Sequence, residues 1–164
     1  MRRLIALIVL LALSAAPALA IPRPGDPAPP LALAGAGGAP VTLAALRGHA
    51  VYLNFFATWC GPCRVETPDI VALSNVYAAR GLRVVGIDVG EDAAKARGFA
   101  REFRVPYAVA VDPESRTRGS YGGGLYFPLH VFIDPAGIVR VYHPGEMSRA
   151  QIEAAISEVL RRRR

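Results

Sequence analysis

The segment Ala50–Ala57 (AVYLNFFA) constrains this chain more than any other, because Asn54 is its one polar residue. A strand that buries one face alternates apolar and polar residues, whereas a nearly continuous apolar run buries both faces. Such a strand belongs at the centre of a sheet, and a central strand needs neighbours on both edges and cover above and below. The rest of the chain should therefore supply further strands and the elements that roof them.

The next segments do so in alternation. Cys60 to Arg80 reads as a helix, with Val65, Ile70, Leu73, Val76 and Tyr77 at helical spacing and Gly81 to close it. Pro68 lies inside it and should kink it. Leu82–Val89 (LRVVGIDV) is a second buried strand, Glu91–Phe103 has helical composition weakened by Gly98, and Tyr107–Val111 is a third strand followed by a loop or helical turn to Tyr121. Gly122-Gly123-Gly124 reads as a flexible connection to Phe127-Pro128. Leu129–Ile133 and Ile138–Tyr142 alternate and flank Asp134-Pro135-Ala136-Gly137, the pattern of an antiparallel hairpin. Ser148 should cap a last helix, Arg149–Leu160, with Ile152, Ala155, Ile156, Val159 and Leu160 on one face. Before the central strand, Ile21–Pro40 is a proline- and glycine-rich lead-in with a short strand near Leu31–Ala34, and Val41–Leu46 is a strand edge or a helical turn. The order is βαβαβ and then ββα, an α/β fold with a mixed central sheet, helices on both faces and an N-terminal extension.

The first twenty residues do not belong to that pattern. Met1-Arg2-Arg3 is basic, Leu4–Leu13 is wholly apolar, and Ala18-Leu19-Ala20 has the small-x-small form of a signal-peptidase site. The apolar run is shorter than the roughly 20 residues needed to span a membrane. Residues 1–20 are therefore expected to be a signal peptide, with retention as an anchor the alternative, and residues 21–164 the mature domain outside the cytoplasm.

Charge adds little. The chain has 19 basic and 13 acidic residues, and removing Arg2 and Arg3 leaves 17 against 13. The surplus of four is the tail Arg161–Arg164, which suits a solvated end at the negative pole of the last helix. No nucleic-acid partner is expected.

Both cysteines, Cys60 and Cys63, lie in Trp59-Cys60-Gly61-Pro62-Cys63. Closing so short a loop removes little entropy from the unfolded chain, so a stabilising staple is a poor explanation. A reactive pair is a better one. Cys60 follows a strand and opens a helix, where amides and the helix dipole favour a thiolate. Cys63, one turn inward, can attack a mixed disulfide on Cys60 and release the second partner. Pro62 fits a first helical turn, where no donor is required, and Trp59 can shield the sulfurs.

Phe56-Ala57-Thr58-Trp59-Cys60-Gly61-Pro62-Cys63-Arg64-Val65-Glu66-Thr67-Pro68 resembles the active-site segment of the TlpA/ResA-like branch of the thioredoxin superfamily. Gly25-Asp26-Pro27-Ala28-Pro29, Gly86-Ile87-Asp88-Val89 and Ile133-Asp134-Pro135-Ala136-Gly137 extend the resemblance through most of the mature chain. The resemblance implies a thioredoxin-like fold and a thiol–disulfide oxidoreductase outside the cytoplasm, with no cofactor beyond the Cys60–Cys63 disulfide. It further implies reduction of disulfides in exported proteins, apocytochrome c among the candidates, and re-reduction by a membrane thiol donor; a monomer is expected.

The same resemblance assigns further positions. Asn54 stands where thioredoxins carry a buried aspartate that takes a proton from the inner cysteine, a task an amide cannot perform. Glu66 resembles the glutamate kept near the site by ResA-like proteins; it manages the Cys63 proton or, alternatively, is an ordinary acidic residue in an early helical turn. Pro128 matches the family's cis-proline facing the dithiol, which leaves the Phe127 backbone open to pair with a substrate chain. The sequence departs from the pattern at this point, with Phe127 before the proline and Leu129 and His130 after it. Phe127 then bears on the potential and on substrate choice. His130 is expected to be a strand residue away from the sulfurs, and His49 and His143 surface residues.

Other activities weighed against reduction are a disulfide oxidant or isomerase and, from another class, a copper-binding chaperone using both thiolates and a histidine. Gly-Pro between the cysteines favours the reducing side, by analogy with thioredoxin at about −270 mV.

Overall fold

A computed structural model describes residues 21–162 of the chain. The signal-peptide assignment falls outside these residues, as do Arg163 and Arg164. In chain order the elements are β1 (Ala32–Gly35), β2 (Val41–Thr42), a 3-10 turn (Ala44–Leu46), β3 (Ala50–Phe56), α1 (Gly61–Ala78), β4 (Leu82–Val89), α2 (Ala93–Glu102), β5 (Ala108–Asp112), the single-turn α3 (Arg118–Tyr121), β6 (Leu129–Ile133), β7 (Val139–Pro144) and α4 (Arg149–Arg161).

All seven residues of β3 are buried, as an apolar run without alternation requires. The strands form one sheet in the order β2-β1-β5-β4-β3-β6-β7, with β3, β4 and β5 mutually parallel and the other pairs antiparallel. β3 is hydrogen-bonded to β4 on one edge and to β6 on the other.

Alternation along β3 divides the core. Ala50 and Tyr52 pack against Ile70, Leu73 and Tyr77 of α1 and Ile152, Ile156 and Val159 of α4, and Phe56 on the same face meets Ala96 and Phe99 of α2. Val51, Leu53 and Phe55 face the other way, toward Leu31, Leu33 and Tyr121, with Leu43 and Leu46 partly covering them. Both faces are therefore roofed, but unequally: three longer helices cover one, and the N-terminal segment with two short helical turns covers the other.

Local chemistry sets the element boundaries. Asp92 caps α2 by accepting from the amides of Ala94 and Lys95, and Ser148 with Gln151 forms a reciprocal capping box at the start of α4. The Val41–Leu46 segment supplies both structures left open by its sequence, a two-residue strand followed by a helical turn. Gly122–Gly124 is packed rather than loose. Gly122 and Gly124 take φ of +75° and +80°, a region open to glycine at no steric cost. A Cβ on Gly123 would fall 2.2 Å from the Thr117 hydroxyl, which Asp112 holds along with the amides of Arg116 and Thr117.

Candidate active site: a dithiol at the start of α1

The parallel strand β3 delivers the chain to the C-terminal end of the central strands, and the turn Ala57–Trp59 passes it into α1. Cys60 is the N-cap residue of that helix, and its Sγ accepts the Cys63 amide at 3.2 Å. The sulfur thus occupies the position that a capping oxygen takes, against unpaired amides and the positive end of the dipole. Cys60 and Cys63 are joined as a disulfide with Cα atoms 5.3 Å apart. Both are nearly buried, at 4% and 3% exposed, while Trp59 beside them is 68% exposed. Gly61 is exposed, and Pro62 lies in the first helical turn. α1 continues through Pro68 to Ala78.

The turn that carries Trp59 is clamped from three sides. Glu91 accepts from the Thr58 amide at 2.6 Å and from its hydroxyl at 3.0 Å. Arg64 donates to the Thr58 carbonyl at 3.3 Å, and its guanidinium also pairs with Glu102 and lies over the rings of Phe99 and Phe103. Burial works to raise the Glu91 pKa, but the Thr58 donors and Lys95, whose Nζ is 3.3 Å away, outweigh it and hold the carboxyl below its usual value. A fixed turn places Cys60 at the helix start in one orientation.

The Phe127–Pro128 bond is cis. Phe127 packs with the sulfur-lining cluster, and its ring meets that of Trp59 edge-on at 5.6 Å between centroids. Phe127, which the sequence associates with the potential, thus packs against the cluster that holds both cysteines.

Glu66 is buried at 8% exposure, which removes the reading of it as an ordinary surface residue. Oε1 accepts the Met147 amide at 2.5 Å, and Oε2 faces His130 Nε2 at 3.3 Å. The Tyr52 hydroxyl completes the row, 2.7 Å from His130 Nδ1. His130 is a β6 strand residue, as expected, but it is fully buried and turned to Glu66 and Tyr52. His143 is half-buried, its ring centroid 6.2 Å from that of His130. Asn54 pairs with His130 across β3 and β6, and its amide nitrogen is buried without a hydrogen-bond partner. Sequence reading missed Tyr52 and the Met147 amide. A Tyr in an apolar run and a backbone donor from a distant loop leave no local signal. The pairing of Asn54 with His130 becomes visible only once the β3–β6 register is known.

A second buried carboxyl, Asp88 at the end of β4, also escaped notice. It is fully buried, and neither oxygen has a hydrogen-bond partner. Burial first, and then the neighbouring Glu91, raise its pKa from 3.8 to about 7. A carboxyl raised in the folded state stabilises the fold fully below its unfolded value, and that contribution is lost as pH rises through the folded one. Asp88 should therefore weaken the fold progressively between about pH 4 and pH 7. Asp88→Asn is expected to raise stability at pH 8 by roughly 1–4 kcal/mol, because the amide cannot ionise and is spared the cost of a buried charge, and to give no gain at pH 4. Urea midpoints of both proteins at the two pH values check this; an equal effect at both would contradict it.

A Cys-x-x-Cys disulfide capping a helix, with a cis-proline leading into the next strand of a sheet of this topology, defines a thiol–disulfide oxidoreductase of the thioredoxin fold. The Redoxin family model matches residues 23–157. The thiol–disulfide oxidoreductase ResA of Bacillus thuringiensis (strain Al Hakam) is 30% identical over 82% of this chain and 78% of its own length. ResA of Bacillus subtilis (strain 168) is 29% identical over 78% and 71%. Among solved structures, a thiol:disulfide interchange protein of the thioredoxin family from Chlorobium tepidum TLS aligns with a TM-score of 0.75 and 32% identity, over 84% of this chain and 98% of its own. The chain belongs to the Redoxin family and is a ResA-like thiol–disulfide oxidoreductase whose chemistry is carried by the sulfurs of Cys60 and Cys63.

Proposed function

We propose that this enzyme works outside the cytoplasm as a reductant of disulfides in exported proteins, with the Cys-x-x-Cys-His segment of apocytochrome c as a candidate substrate. The position of Cys60 as the cap of α1, with its sulfur accepting the Cys63 amide, carries the exchange chemistry. That environment favours the thiolate of the reduced form and so the attacking role of Cys60. The likeness to ResA, with Gly61-Pro62 between the cysteines, supports the reducing direction. Residues 1–20 act in this reading as the export signal, cleaved after Ala20 or kept as an anchor. A membrane thiol donor restores the dithiol.

The exchange balances as follows. The Cys60 thiolate attacks one sulfur of the substrate disulfide and expels the other as a thiolate. The Cys63 thiolate then attacks the Cys60 sulfur, releasing the second substrate thiolate and closing the Cys60–Cys63 disulfide. Two electrons pass to the substrate, whose two thiolates take up two protons. Cys63 must lose its proton in a buried site, and in this reading Glu66 receives it, a role supported by its burial on the same helix three residues further on. Pro128, buried beside Phe127, closes the site opposite the sulfurs; Phe127, Trp59, Gly61 and Pro62 shape the surface on which a substrate docks.

Mixing the reduced protein with an oxidised peptide containing Cys-x-x-Cys-His tests this. The peptide should emerge reduced and the protein oxidised. Net oxidation of the reduced peptide by the oxidised protein would instead place the enzyme among disulfide donors.

A further inference from the structure

The exchange just described leaves His130 without a task, although it is fully buried beside Glu66. Its ring is fully buried in β6. Nε2 faces Glu66 Oε2 at 3.3 Å, and both atoms otherwise lack a hydrogen-bond partner. The second Glu66 oxygen is occupied by the Met147 amide and the second ring nitrogen by the Tyr52 hydroxyl. A buried polar atom without a partner is costly. Two such atoms facing each other, each the one nitrogen or oxygen of its side chain without another partner, form a place for one shared proton.

We propose that Glu66 and His130 bind the proton released by Cys63 as one unit, with His130 acting as a positioning residue through Glu66. The inference rests on the role assigned to Glu66 above. Cys63 passes from thiol to thiolate, and the pair passes from a carboxylate beside a neutral ring, charge −1, to a protonated unit of charge zero. No electrons move in this step. The proton leaves again with a departing substrate thiolate.

Tyr52 makes both states of the ring tolerable. Its hydroxyl donates to a bare Nδ1 and accepts from a protonated one. Burial, with Tyr107 and Glu66 adding to it, holds the Tyr52 pKa well above its ordinary value, so the hydroxyl stays uncharged and free to reverse. The other groups facing the pair are Asn54 on β3 and His143 on β7, and Cys63 lies on α1 three residues before Glu66. On the α4 side the Met147 amide faces Glu66, while Glu153 is engaged by the Tyr77 hydroxyl at 2.7 Å.

The test is a mutant cycle in the full chain carrying Cys60→Ala, which leaves Cys63 as the one thiol, with alkylation rate followed against pH. Glu66→Gln removes the carboxylate charge and should lower the Cys63 midpoint. His130→Gln keeps a donor toward Glu66 but cannot take up a proton. It should raise the midpoint by about one unit, roughly a tenfold slower reaction at pH 7. In the Glu66→Gln background, His130→Gln should change nothing further. A shift from Glu66→Gln with none from His130→Gln would overturn the paired unit and leave Glu66 standing. No shift from either would remove both, and an undiminished His130→Gln effect without Glu66 would show that His130 acts alone. Should His130→Gln fail to fold, ring-nitrogen NMR of the wild-type protein gives the same decision. The His130 signals should move when the disulfide is reduced, and unmoved signals would overturn the proposal.

Discussion

Cys60→Ser should reduce disulfide exchange to the uncatalysed background, a loss on the order of a thousandfold or more, as expected when an enzymatic nucleophile is removed. A serine hydroxyl in the same cap position can still accept the Cys63 amide, so the helix start is preserved and the effect is chemical. It cannot form the mixed disulfide through which exchange proceeds. Cys63→Ser is the informative partner. That variant keeps the attacking sulfur, so it should enter one round of exchange and then accumulate as a covalent adduct with substrate. Mass spectrometry of the two variants after incubation with an oxidised peptide separates the roles. Adduct on Cys60→Ser and none on Cys63→Ser would reverse the assignment of outer and inner cysteine.

Phe132→Ala should produce the largest loss of stability, about 3–5 kcal/mol. Phe132 is fully buried in β6 and is the cross-strand neighbour of Tyr52. Their rings stack at 4.2 Å between centroids and 10° between planes. The change removes a ring from the cluster joining β3 to α1 and α4 and leaves a cavity that the sheet cannot close. Against the 5–15 kcal/mol typical of a whole domain, such a loss would leave the protein marginal. Urea unfolding gives the number, and a loss below about 1 kcal/mol would mean that this cluster is not the centre of the core. Phe132→Leu should cost much less, about 1.5 kcal/mol or under, because most of the volume is kept. The same ring also supports Tyr52, so Phe132→Ala should disturb the hydroxyl that faces His130.

The parts of the structure legible in the sequence are those written in local pattern. The unbroken apolar run of β3 announces a central strand, and β4 follows the sequence reading over Leu82–Val89. Cys60 at a strand-to-helix junction announces a capped, reactive sulfur, and Ser148 with Gln151 announces the start of α4. What could not be read depends on register and on contacts between distant segments. Glu66 gains its meaning from a Met147 amide 81 residues away and from a histidine on another strand. Thr58 is held by Glu91 across 33 residues. The Gly122–Gly124 run reads as loose because glycine is permissive, but the tight fit comes from a Thr117 hydroxyl fixed by Asp112. His130 reads as an ordinary strand residue because only the pairing of β6 with β3 sets it beside Tyr52 and opposite Glu66.

The direction of electron flow is decided most directly by the equilibrium reduction potential of Cys60/Cys63 in the mature protein. It can be titrated against a thiol–disulfide buffer with the fluorescence of Trp59 as readout; this is the one tryptophan in the chain, and it lies next to the dithiol. A potential near or below about −220 mV, the range from glutaredoxin to thioredoxin, is the expected result for a reductant supplied by a membrane donor. A potential near about −120 mV, that of a strong disulfide donor, would contradict it.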